Sequence, residues 1–209
     1  MRVRGVFIVF EGIDGAGKTT QLFTLYHELR GRGYKVVLTR EPGGTRVGEA
    51  IRRMLLDADN REMTRETEAL LYAAARAQFV AQVVRPALQR GEIVLSDRFA
   101  DSFLAYQGYG RGLELSTLMR INALATGGLC PDLTVLLDMP VARALARLDA
   151  KRQDRMERQS VDFYERVRRG YREVAAAQHQ RYLVLDADRE VEMLAAAVLE
   201  RVEVVLGLV

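Results

Sequence analysis

Apolar residues fall into two alternating patterns along the 209 positions of the chain. Short, nearly continuous runs recur as VFIVF (Val6–Phe10), KVVLT (Lys35–Thr39), EIVLS (Glu92–Ser96), LTVLLD (Leu133–Asp138) and RYLVLD (Arg181–Asp186). Runs of this kind, rich in branched residues and followed by polar residues or glycine, read as strands covered on both faces, the habit of parallel sheets. Between them the apolar positions recur at helical spacing, predicting helices over Lys18–Arg30, Thr64–Arg90, Ser116–Thr126, Pro140–Asp149, Ser160–Gln180 and Glu190–Leu206. Gly31 and Gly33 close the first of these. Thr64 suits an N-cap, with Glu66 and Glu68 in the first turn, and Gly91 stops that helix. The alternation predicts an α/β fold: β-α-β units with right-handed crossovers, giving an open parallel sheet between helix layers. Ligands in such sheets bind beyond the carboxyl ends of the strands.

The length suits one domain, 1–209, with a large buried core, and no repeat, low-complexity tract or linker divides it. Hydrophobic residues make up 49% and charged residues 28%, an ordinary globular balance. No apolar run approaches the roughly 20 residues of a membrane span. The stretch Val6–Phe10, interrupted by Glu11, is too short for a signal-peptide core. Cys130 is the only cysteine, so no disulfide forms within the chain, and cytoplasmic residence is expected.

A net charge of +3 and a pI near 9.2 raise the question of nucleic acid. The distribution answers otherwise. Arg143 to Arg172 holds ten basic and five acidic residues, while the rest of the chain is slightly acidic. A local basic segment suits a nucleoside triphosphate at least as well as a polynucleotide. The interleaved aromatic and basic platform of single-strand binders is missing.

The chemistry concentrates after the predicted strands. Gly12-Ile13-Asp14-Gly15-Ala16-Gly17-Lys18-Thr19 matches G-x-x-x-x-G-K-[ST] and sits between a strand and a helix. There the backbone N–H groups can turn inward and the helix N-terminus adds its dipole, so the segment reads as a phosphate cradle. Lys18 can reach outer phosphates, and the Thr19 hydroxyl can face Mg²⁺. Asp14 is out of place beside one polyanion, because like charges repel; it should face away from the triphosphate, towards a hydroxyl of a second ligand.

SDRFADSFLAYQGYGRG (Ser96–Gly112) follows the third strand. Asp97 there suits a Mg²⁺ shell, and Arg98 offers a planar fork for phosphate. Tyr106 and Gln107 suit a sugar or base. LTREPGGT (Leu38–Thr45) places Arg40 and Glu41 at the end of the second strand. Tyr72 and Arg76 are four apart on the long helix and share a face, an aromatic beside a donor. Basic residues in ARALARLDAKRQDRMERQ could close over a transferring phosphoryl group: Arg155 leads, with Arg152, Lys151 and Arg147 behind it.

In this order, FEGIDGAGKTTQ, TREPGGT, YAAARAQ, DRFADSFLAYQG and DRMERQSVDFYERVRRGY resemble the bacterial thymidylate kinase family over essentially the whole chain. The resemblance implies a P-loop kinase fold, a five-stranded parallel sheet, a lid at about 147–158 and a homodimer. It implies transfer of the γ-phosphoryl group of ATP to dTMP, giving dTDP, with Mg²⁺. Carried over by position, the loop and Lys18 hold ATP, and Thr19 and Asp97 serve the metal. Asp14 would meet the dTMP sugar hydroxyl, Arg98 the dTMP phosphate, and Arg76 a thymine carbonyl. Tyr106 would pack where a 2′-hydroxyl would lie, Gln107 would sit by the base, and Arg40, Tyr72 and Ser102 would complete that site. Two positions depart from the family habit: Tyr72 replaces a frequent Phe, and Phe99 a frequent Tyr. Gly15 stands where other members carry an arginine, so the lid must supply the catalytic one.

The nearest alternative is a kinase for a deoxynucleoside or another nucleoside monophosphate. A GTP-driven switch would need Asn-Lys-x-Asp, and neither Asn60 nor Asn122 precedes a lysine.

Overall fold

The computed structural model describes residues 5–148 and 154–208. Its core is one parallel sheet of five strands, β1 (Val6–Glu11), β2 (Val36–Arg40), β3 (Ile93–Asp97), β4 (Leu133–Asp138) and β5 (Tyr182–Asp186), in the order β2-β3-β1-β4-β5. β1, β3 and β4 lie in the middle and are buried almost throughout. This explains their largely apolar runs, within which Thr134 of β4 is buried as well. The outer strands β2 and β5 are only partly covered. The order reverses beside β1, and the carboxyl ends of β1 and β3 lie in register there, Phe10 opposite Asp97. That is where open α/β sheets take ligands.

The helices are α1 (Lys18–Gly31), α2 (Arg46–Leu56), α3 (Arg65–Phe79), α4 (Arg85–Gln89), α5 (Ala100–Phe103), α6 (Leu115–Thr126), α7 (Val141–Ala146), α8 (Val161–Ala177) and α9 (Val191–Leu206). The Thr64 and Ser160 hydroxyls cap α3 and α8 by accepting from Thr67 N and Phe163 N. Three features differ from the sequence expectation. The predicted Thr64–Arg90 rod holds a π-helical stretch at Val80–Val84, between α3 and α4. α2, which the strand-and-helix reading passes over, is capped by Thr45 and buries Ile51 and Leu55. A second π stretch, Leu104–Gly110, continues α5 and carries Tyr106 and Gln107 inward. π turns concentrate at functional sites. Among the described residues no helix is long and apolar enough to cross a membrane.

Candidate active site

The loop after β1 is shaped by close approach. Gly12 has φ 139°, and a Cβ there would lie 2.5 Å from the Leu137 carbonyl oxygen. At Gly15, φ 82°, a side chain would run into the carbonyl of Ala144 in α7. Only glycine fits both conditions. Lys18 is buried and folds back to donate to the carbonyls of Gly12 and Ile13, at 3.1 and 3.0 Å. Burial pushes its pKa down and Arg98 adds to this, against Asp97 and Asp14. The Thr19 hydroxyl donates to Asp97 Oδ2 at 3.3 Å. The other oxygen, Asp97 Oδ1, is buried without a hydrogen-bond partner.

Arg98 stands opposite the loop. Its φ of 71° is in the left-handed region, rare for a non-glycine residue. Its Nη1 donates to Gly12 O (2.9 Å), Ser102 Oγ (3.2 Å) and the Tyr171 hydroxyl (2.8 Å). Its Nη2 donates to Asp14 Oδ1 (2.5 Å) and the Tyr106 hydroxyl (3.0 Å). The Tyr106 hydroxyl donates in turn to Asp14 Oδ2 at 2.8 Å. Burial disfavours a charged Asp14, but Arg98, Lys18 and the Tyr106 hydroxyl overcome it and hold the carboxyl well below the usual range.

Two cavities meet here. One, with about 570 Å³ of empty space, is lined by Tyr72, Arg76, Ser102, Phe103, Tyr106 and Gln107, among others. The other is lined by Gly15, Gly17, Lys18, Thr19, Arg40 and Asp97. Asp14, Glu41, Arg52 and Arg98 line both. Arg76 forms the floor of the first cavity. It is 1% exposed, salt-bridged to Glu41 at 2.8 Å, donates to Asn122 Oδ1 at 2.7 Å, and lies 5.0 Å from the centre of the Phe103 ring. Gln107 donates to Glu68 Oε1 at 3.0 Å. Arg40, more than half exposed, pairs with Glu49 at the mouth of the second cavity.

A family model described as thymidylate kinase matches residues 10–198. The chain belongs to the thymidylate kinase family. A thymidylate kinase of Desulforudis audaxviator is 67% identical over 203 residues, 97% of this chain and 92% of its own length. One of Geobacter sulfurreducens is 51% identical over 201 residues, 93% of this chain and 94% of its own. The crystal structure of thymidylate kinase from Ehrlichia chaffeensis superposes with a TM-score of 0.77 at 33% identity, covering 96% of this chain and 99% of that one.

Against the thymidylate kinase pattern, the structure brings together the loop, Lys18, Thr19 and Asp97 on one side, and Tyr72, Arg76, Ser102, Tyr106 and Gln107 on the other, with Asp14 and Arg98 between. Arg155, the foremost candidate in the basic segment, lines neither cavity in this structure. Its Nη1 pairs with Glu68 at 2.7 Å, its Nε donates to Leu55 O at 2.8 Å and its backbone N to Leu56 O at 3.1 Å. The reason is local: the carbonyls ending α2 need donors, and Glu68, 1% exposed, collects cations, with Arg111 bound bidentately on its other side. Among the described residues of the basic segment, Arg147 is the arginine that reaches the loop, with Nη1 3.5 Å from Gly15 O. Lys151 and Arg152 lie outside the described residues. Sequence reasoning missed Glu11, Arg52 and Asn122 altogether. The one available signal was Glu11 itself, a carboxylate ending an otherwise apolar strand.

Proposed function

We propose that this chain transfers the γ-phosphoryl group of ATP to dTMP, giving dTDP and ADP. The observation that carries the reading is the shared wall: Asp14 and Arg98 face two adjoining cavities at once, one of them built from the phosphate loop. A residue pair in that place can hold two nucleotides end to end, which is what direct phosphoryl transfer requires.

ATP would lie along the loop, Gly12 to Thr19, with Lys18 turning from its own carbonyls onto the outer phosphates. dTMP would fill the first cavity. There Arg98 and Ser102 take its phosphate, Asp14 and Tyr106 its sugar, and Tyr72, Arg76 and Gln107 its base, with Arg40 at the rim. Mg²⁺ would be held by Thr19 and Asp97, and the unpartnered Asp97 Oδ1 fits this role. Among the described residues no group of three or more His, Cys, Asp or Glu could hold a metal, as suits an ion that relies on phosphates and water for most of its shell. Bound there, Mg²⁺ would neutralise part of the triphosphate charge. The attacking phosphate oxygen of dTMP is already anionic, so positioning and charge stabilisation carry the reaction and no strong general base is required. Lys18 and Arg98 supply charge from the core and Arg147 from the lid; Arg155 joins them only by leaving Glu68.

The same reading takes the chain as one kinase domain with its lid at about 147–158, working in the cytoplasm as a homodimer. Leu70 on α3 and Met119 and Leu124 on the adjacent α6 are exposed apolar residues that a second copy would cover. A coupled ADP-release assay with a panel of nucleoside monophosphates and deoxynucleosides tests the activity. dTMP is expected as the best acceptor, and a better acceptor elsewhere in the panel overturns the assignment.

A further inference from the structure

We propose that Glu11 is a positioning residue of phosphoryl transfer: it holds Arg98 in its left-handed conformation and aims its guanidinium at the junction of the two cavities. This rests on the reading that Arg98 binds the acceptor phosphate.

Glu11 ends β1, the middle strand, and is 0% exposed. It lines neither cavity. A carboxylate in such a place is costly unless donors surround it, and here four do. Oε1 accepts from Phe99 N at 2.9 Å and from Ser102 N at 3.3 Å. Oε2 accepts from Ser102 Oγ at 2.5 Å and from the Tyr171 hydroxyl at 3.0 Å.

Each donor bears on Arg98. Phe99 is the next residue, so its bond to Glu11 pins the chain directly after the strained φ of 71°. The Arg98 N–H is fixed on the other side by Phe10 O at 2.9 Å. Strained backbone persists only where its surroundings over-determine it, and these two bonds do so. Ser102 Oγ and the Tyr171 hydroxyl are the groups that accept from Arg98 Nη1. The two hydroxyls also lie 2.7 Å from each other, so their protons are drawn towards Glu11 Oε2 or shared between them, and lone pairs are left to face the guanidinium. The result is a relay from Glu11 through two hydroxyls to Arg98, with no direct contact between the two charged groups.

The relay needs a carboxylate. Glutamine has one acceptor oxygen and one NH₂ group. If its oxygen keeps Phe99 N and Ser102 N, its NH₂ points at the two hydroxyls and competes with Arg98 Nη1 for their lone pairs. If it is flipped, the backbone donors lose their acceptor.

Steady-state kinetics of Glu11→Gln, Tyr171→Phe, the double variant and Arg98→Ala test this. Glu11→Gln is expected to raise the KM for dTMP by about tenfold or more, the scale of a charge-assisted hydrogen bond, while the KM for ATP stays within about twofold. Tyr171→Phe cuts one of the two arms of the relay and keeps both charged groups in place. It should give a smaller shift of the same selectivity, and less than that when added to Glu11→Gln. The inference is overturned if Glu11→Gln or Tyr171→Phe leaves the dTMP KM unchanged, or shifts both KM values equally, while Arg98→Ala raises the dTMP KM. If Arg98→Ala itself leaves the dTMP KM unchanged, the fault lies in the reading of the site, and the role of Glu11 falls with it.

Discussion

On one side of Asp14 the charged groups are already paired by the protein: Arg98 with Asp14 and the hydroxyls of Tyr106 and Tyr171, Arg76 with Glu41 and Asn122. On the other side Lys18 leans on the carbonyls of its own loop, and Asp97 Oδ1 has no partner. On the proposed reading, the acceptor cavity is thus organised by the fold, and the loop cavity would be completed by the polyanion it takes. The difference separates two jobs. Choosing the acceptor needs rigid walls that a wrong ligand cannot rearrange, and there Glu41 Oε1, without a hydrogen bond of its own, is held by its ion pair with Arg76. Holding a triphosphate needs donors and a cation site that gain their partners only on binding. Substitutions on the acceptor side should therefore cost folding stability, and those on the loop should cost rate.

The largest effect is expected from Glu41→Ala. It leaves the buried Arg76 guanidinium without its carboxylate, a loss of roughly 3–5 kcal/mol only partly relieved by Asn122. Urea denaturation should show a much lower midpoint. An unchanged midpoint would mean that the acceptor floor is not held by this pair, and the contrast between the two cavities would fail. Lys18→Ala comes next, with the opposite signature. It removes a desolvated ammonium and should leave the midpoint near that of the parent, while kcat falls by about 10²–10³-fold, the scale of one lost charge-stabilising donor. A Lys18→Ala protein as unstable as Glu41→Ala would erase the distinction.

How far this contrast could be read from the sequence depends on where each partner lies along the chain. The loop is contiguous, Gly12 to Thr19, so its spacing announces it. The sheet is equally legible, because the central strands β1, β3 and β4 are buried almost throughout and are largely apolar up to their carboxyl ends, with the buried Thr134 the interruption in β4. The π stretches at Val80–Val84 and Leu104–Gly110 are not legible, since a shift in hydrogen-bond register has no compositional signal. The partners of the acceptor side are equally hidden. Glu41 meets Arg76 from the far end of another element, and Glu11 meets Phe99 and Tyr171 from across the sheet. Arg155 shows the cost most clearly. Its charge and its place in a basic segment made it the foremost lid candidate, but only the fold reveals that Glu68 and the end of α2 hold it.

Tyr106 gives the smallest and most selective test of the comparison. Its ring is 6% exposed, with an edge against Phe163 and Tyr171 and a face 4.9 Å from the Arg98 guanidinium carbon. Its hydroxyl bridges Arg98 and Asp14. Ring and hydroxyl should separate. Tyr106→Phe keeps the wall that would meet a 2′-hydroxyl and loses two hydrogen bonds to charged groups, so kcat/KM for dTMP should drop by about tenfold with its preference over the ribonucleotide intact. Tyr106→Ala opens the wall and should relax that preference. If both variants discriminate as well as the parent, the walls of the acceptor cavity do not select the sugar, and its rigidity serves the phosphate alone.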